Sequence, residues 1–155
     1  MTNETGHEIA DALGLLLRRS TREHLYAQLT EGLGEAVDGF TYPVLSGLVR
    51  TGPASAASLG REIGLDRTTV TRRADHLEQV GLLRREPDPA DGRATLLALT
   101  EAGHDAVRAT RQRLASHIED SLSSWPREDA RTFARCLQRF VTEGPFAPGN
   151  ARKTD

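Results

Sequence analysis

Only three residues, Gly64-Leu65-Asp66, separate two short helical patterns in the middle of this chain. The first opens at Ser55, carries Ala56, Leu59 and Ile63, and is stopped by Gly64. The second is capped by Asp66 and runs to about Val80, with Gly81 at its C-terminal end. A three-residue turn containing glycine between two short helices is the helix-turn-helix spacing. Directly downstream, Leu82-Leu83-Arg84-Arg85 and the apolar run from Ala94 to Leu99 flank a turn-rich stretch with an Asp91-Gly92 pair. That pattern predicts two short strands joined at a tight tip. The region is therefore expected to be a winged helix-turn-helix, mainly α with a small β-hairpin wing.

The flanking segments read as helices. Residues 7–33 contain no proline and place Ile9, Leu13, Leu16 and Leu17 at helical spacing, followed by Leu25, Leu29 and Leu33, so one N-terminal helix is predicted. Thr41 is the expected N-cap of a short helix with Pro43 in its first turn and Val44, Leu45, Leu48 and Val49 on its apolar side. Thr100 is expected to cap a long helix through Val107, Leu114, Ile118 and Leu122. A last helix, about 128–142, sets Ala130, Phe133, Leu137, Phe140 and Val141 on one face. At 155 residues and 37% hydrophobic content the core is lean. Apolar faces at both ends then call for a second subunit. The expected organisation is an N-terminal dimerisation helix (1–34), the winged helix-turn-helix (35–100), C-terminal dimerisation helices (101–146) and a disordered tail (147–155).

The second helix of the pair carries the most informative surface. At about 100° per residue, Val70, Ala74, Leu77 and Val80 gather on one face, leaving Thr68, Thr71, Arg72, Asp75, His76 and Gln79 on the other. Thr68, Thr69 and Thr71 are poor helix formers placed together in the first turns. Their hydroxyls suit phosphates and base edges, and their methyl groups suit thymine. A helix N-terminus that tolerates threonine is the plainer explanation. Arg93, at the hairpin tip, is placed to enter a minor groove, or else to sit in solvent beside Asp88 or Asp91.

Charge does not single out nucleic acid. The formal net charge is −2, and between residues 61 and 93 seven arginines face seven acids. That balance favours the rival class, a winged helix that docks proteins. No catalytic motif is present, whether nucleophile elbow, phosphate loop or zincin helix, so no enzyme and no cofactor is expected. The five histidines never fall at i, i+3 or i+4, which gives no metal face. The single cysteine, Cys136, is expected to be a packed, inert thiol near an apolar helix face. No apolar run is long enough to span a bilayer and the N-terminus is acidic, so a cytoplasmic location is expected.

The run from Leu59 to Arg72, with Leu77-Glu78, Gly81 to Arg85, Asp91-Gly92-Arg93 and Leu99 to Gly103, strongly resembles the MarR family of transcription regulators. The match spans about 41–103; the outer helices agree in length and order only. The resemblance implies a homodimer with interlocking terminal helices and a palindromic duplex operator. It implies major-groove roles for Thr68, Thr69, Thr71 and Arg72, with Arg67 beside them, and a minor-groove role for Arg93 supported by Asp91. It also implies release from DNA by a small aromatic or drug-like effector, for which Tyr26, Tyr42, His24 and Arg18 are candidate lining residues. Peroxide-sensing relatives carry a cysteine in the first helix, where this chain has none.

Overall fold

A computed structural model describes residues 3–145. Its elements follow in the order α1 (Asn3–Leu16), α2 (Arg19–Thr30), α3 (Tyr42–Thr51), α4 (Ala56–Ile63), α5 (Arg67–Gln79), β1 (Leu83–Pro87), β2 (Thr95–Leu99), α6 (Glu101–Leu122) and α7 (Arg127–Glu143). They divide between two compact units, residues 1–114 and 115–155.

In the first unit the core is built from α3, α4, α5, the hairpin and the start of α6. Leu45, Leu59, Val70, Leu77, Leu83 and Val107 are fully buried there. Burying a leucine side chain stabilises by about 1.5–3 kcal/mol, so these apolar positions set the helix orientations. Ser55 accepts from Ser58 N at 3.1 Å and starts α4. Asp66 accepts from Thr69 N at 2.9 Å and starts α5. Thr100 caps α6 by accepting from Gly103 N, and its hydroxyl donates to Gly81 O, binding the helix to the root of the hairpin.

The turn between α4 and α5 is closed by Leu65 N donating to Gly60 O at 2.9 Å. Gly60 has no room for a side chain, because a Cβ would collide with the Leu65 carbonyl oxygen. The same constraint recurs at Gly103, where a Cβ would strike the Leu82 carbonyl. β1 and β2 pair antiparallel with Leu83 opposite Leu99 and Pro87 opposite Thr95. Ala54 adds an antiparallel bridge to Leu97, with bonds of 3.0 and 2.8 Å, so the segment leading into α4 is fastened to the wing. Farther back, the Arg113 guanidinium reaches from α6 to the carbonyls of Leu29 and Glu31, the end of α2 that lacks helical partners.

Five expectations need correction. The predicted helix over 7–33 is two helices, broken at Leu17 and Arg18, where Arg18 turns to φ −57°, ψ 138°. The break needs no proline because Thr21 Oγ1 donates to the Leu15 carbonyl, replacing a lost helical partner at 3.0 Å. Thr41 precedes α3 but does not cap it with its side chain. Its hydroxyl donates to Ala36 O, and Asp38 instead accepts from the N–H groups of Phe40 and Thr41. Val80 falls outside the apolar face of α5 and is 47% exposed, because the helix ends at Gln79. Cys136 is exposed, not packed. The hairpin is also longer than expected, since Glu86 and Pro87 join β1; proline, lacking an N–H, is tolerated at a strand end.

The second unit, among its described residues, holds the end of α6 and all of α7. Trp125 and Phe133 pack with ring centroids 5.6 Å apart. No described residue of α7 is buried, and Phe133, Leu137 and Val141 are exposed apolar side chains. The tail expected over 147–155 lies outside the described residues.

Candidate nucleic-acid interface

The N-terminal turns of α5 are set by their cap. Asp66 takes both the Thr69 N–H and the Thr69 hydroxyl, the latter at 2.7 Å. Thr69 is thus a half-buried structural residue whose hydroxyl proton is already committed. Thr68, Arg67 and Arg72 are exposed, and Thr71 is half-buried at the margin of the core-facing side. The hydrogen bonds from Thr69, its side chain first and its backbone second, hold the Asp66 carboxyl below the usual carboxylate range.

This depression has a pH signature. The cap's contribution is fully present above the unfolded carboxylate value of about 3.9 and is lost as pH falls through the lower folded value. Asp66→Asn keeps a capping side chain but removes the titration. Its thermal stability should match the native chain at neutral pH and fall less steeply in acid, measured by melting between about pH 4 and 2. Parallel acid profiles for the two chains would show that the cap does not titrate.

At the wing tip, Asp91 Oδ1 accepts from Arg93 N at 3.1 Å and Asp91 O accepts from Ala94 N. Asp88 Oδ1 accepts from Ala90 N at 2.9 Å. Both aspartates therefore shape the turn through the backbone. The exposed Arg93 guanidinium makes no ion pair among the described residues.

The balance of seven arginines and seven acids resolves once partners are assigned. Glu62 pairs with Arg50 at 3.5 Å, Glu86 with Arg84 at 3.2 Å, and Asp75 and Glu78 both with Arg85. Asp66, Asp88 and Asp91 serve caps and turns. Arg73 donates to Phe40 O at 2.6 Å and stacks over the Phe40 ring. Four exposed arginines, 61, 67, 72 and 93, are left without an ion pair among the described residues. Sequence reasoning passed over Arg61, because a residue count cannot tell which arginines are consumed internally.

Two cavities open in the first unit. One of about 550 Å³ is lined by Arg19, Arg22, Tyr26, Phe40, Leu65 and Arg73, against the helix-turn-helix turn. A smaller one of about 220 Å³ is lined by Leu16, Leu17, Leu25, Leu29, Tyr26 and Tyr42, among others. Burial raises the Tyr42 hydroxyl above the ordinary phenol value, opposed by the nearby Arg111 guanidinium. Of the four residues expected to line an effector space, Tyr26 lines both cavities and Tyr42 only the smaller one. Arg18 and His24 line neither cavity; His24 bonds Gln28 on the outer side of α2. Among the described residues no group of three or more His, Cys, Asp or Glu side chains could hold a metal ion, and no helix is long and apolar enough to cross a membrane.

A family model described as "MarR family" matches residues 42–95. The uncharacterized HTH-type transcriptional regulator YxaD of Bacillus subtilis (strain 168) is 30% identical over 119 residues, covering 77% of this chain and 83% of YxaD. The HTH-type transcriptional repressor NicR of Pseudomonas putida is 26% identical, over 65% of this chain and 64% of its own. Among solved structures, the PcaV transcriptional regulator from Streptomyces coelicolor, in complex with its natural ligand, is 30% identical with a TM-score of 0.57, covering 83% of this chain and 90% of PcaV.

Proposed function

Since the chain belongs to the MarR family, whose members are transcription regulators and not enzymes, we propose that it represses transcription in the cytoplasm as a homodimer on a palindromic duplex operator. The carrying observation is the set of four exposed arginines on α4, α5 and the wing tip, in a region where every carboxylate has a partner. In this reading α5 enters the major groove, with Thr68, Thr71 and Arg72 toward base edges, Arg67 beside the phosphates and Thr69 holding the capped first turn. Arg93 enters the minor groove from a tip shaped by Asp91. Arg61, on the first helix of the pair, grips the backbone, as that helix does in such docking.

The dimer is supported by the exposed apolar side chains of α1 and α7, Ile9, Leu15, Leu16, Phe133, Leu137 and Val141. Residues 1–34 and 101–146 supply the dimerising segments and 35–100 the DNA-binding region. Repression is supported by NicR, a repressor by name. The 550 Å³ cavity suits a small aromatic anion, with arginines at its rim and the helix-turn-helix turn as one wall. PcaV holds a natural ligand, which supports an effector here.

Footprinting on the DNA upstream of the protein's own gene tests this reading. Two protected half-sites with centres roughly 10 bp apart, one helical turn, are expected. Phe133→Glu combined with Leu137→Glu should yield monomers by sedimentation and weaken both half-sites together. A native chain that sediments as a monomer at micromolar concentration, or that protects one asymmetric half-site at saturation, would sink the dimer.

A further inference from the structure

Arg85 belongs to β1, the first strand of the wing, yet its guanidinium reaches the last turns of α5. Nη2 donates to Asp75 Oδ1 at 2.5 Å, and Nη1 pairs with Glu78 Oε2. Asp75 and Glu78 are three residues apart and so are neighbours on the helix surface. A planar guanidinium can meet two carboxylates at once, where an ammonium offers only a point charge. The Arg85 side chain is 28% exposed, against 55% for Asp75 and 41% for Glu78, so it is the shielded centre of the cluster.

Backbone bonds already anchor the root of the wing at this corner. Gly81 N donates to Glu78 O, Leu82 N to Leu77 O and Thr100 N to Leu82 O. Those bonds hold residues 81–82, and the Ala54 bridge to Leu97 ties β2 to the segment before α4, but among the described residues no backbone bond joins β1 to α5 beyond Leu82. Arg85 sits two residues farther along β1 than Leu83 and bonds to the helix from there, bracing the strand directly against α5.

We propose that Arg85 is a positioning residue for DNA binding: by clamping β1 to Asp75 and Glu78, it fixes the angle of the wing to α5 so that Arg93 and Arg72 engage one duplex together. The inference rests on the DNA-binding reading above. It concerns the geometry between two contacts, and neither Arg85 nor its partners needs to touch DNA.

A double-mutant cycle between Arg85 and Arg93 tests it, using the full-length chain and fluorescence anisotropy on the native operator. Arg93→Ala alone should weaken binding about tenfold, and in the Arg85→Gln background by less than about threefold, because a misdirected wing has little left to lose. A merely structural role for Arg85 would leave the Arg93 increment unchanged, so additive losses would overturn the proposal. Glu78→Gln, which removes one anchor and keeps the arginine, should give the same non-additivity in smaller measure and guards against a misfolded Arg85→Gln chain.

A second arm needs no DNA. Hydrogen exchange at Asp88 N and Ala94 N, which close the wing tip by bonding Ala94 O and Asp91 O, should speed up in Arg85→Gln and be partly restored in Arg85→Lys. Unchanged exchange would overturn the brace. If Arg93→Ala has no effect in the native chain, the wing's DNA role has failed, and the exchange arm decides the brace by itself.

Discussion

Arg72→Ala and Arg93→Ala should both weaken operator binding and should differ in what else they change. Arg72 stands on the exposed side of α5, within two turns of its capped start, without an ion pair to withdraw it. A bidentate arginine–guanine contact discriminates by about 1–3 kcal/mol. Its removal should lower affinity by a comparable amount and flatten the preference at one base pair in each half-site. Arg93 would meet a groove that offers little beyond A·T against G·C and its own width. Its loss should lower affinity across all sequences and reduce the salt slope by about one unit. The measurement is affinity for single-base operator variants at two salt concentrations. Equal losses on every sequence for both variants would mean that α5 only grips phosphates. No loss for either would remove the docking geometry altogether.

Gly60→Ala should be among the most damaging single-methyl additions to the first unit. The new Cβ would strike the Leu65 carbonyl, which is backbone and belongs to the turn itself. No rotamer can relieve that contact, so α4 and α5 must part. Overpacking of this kind costs about 1–3 kcal/mol and sometimes more, out of a total stability of roughly 5–15 kcal/mol. Specific DNA binding should fall with it, because the same turn aims α5. Gly14→Ala in α1 is the control: nothing lies within 4 Å of its Cβ position, and alanine is the better helix former by about 1 kcal/mol. Denaturant midpoints for the two variants give the comparison. If Gly60→Ala unfolds at the same midpoint as Gly14→Ala, the turn is softer than its contacts imply.

Where residues answer to their neighbours in sequence, the chain was legible. Ser55, Asp66 and Thr100 act as caps because a cap needs only an N–H two or three residues ahead. The hairpin followed from two short runs flanking turn residues, and the resemblance to the MarR family falls on the central region that the family model matches. What failed depended on contacts that spacing does not encode. Thr41 looked like a cap, but Asp38 holds the local N–H groups and the threonine hydroxyl turns to Ala36. The break at Leu17–Arg18 carries no proline or glycine, since a threonine hydroxyl takes over the freed carbonyl. For the candidate interface, threonines and arginines could be named, but their availability could not. Thr69 is committed to Asp66, whereas Arg61 proved open to solvent. The apparent neutrality of the region hid an asymmetry that only partner assignment exposes.

The order of strands in the wing bears on self-association. β2, Thr95–Leu99, is a five-residue stretch of which three are leucine and one alanine, uncharged and without proline, the composition that readily recruits further strands. It does not form the open margin of the sheet. β1 covers one side, and the Ala54 bridge at Leu97 occupies the other. The margin left to solvent is β1, with Arg84, Arg85 and Glu86 followed by Pro87, which has no N–H to offer an incoming chain. The hairpin can therefore stand at the protein surface without templating fibres. Substitutions at Ala54 that prevent its two bonds to Leu97 would uncover that apolar strand, and their first symptom would be aggregation at high protein concentration.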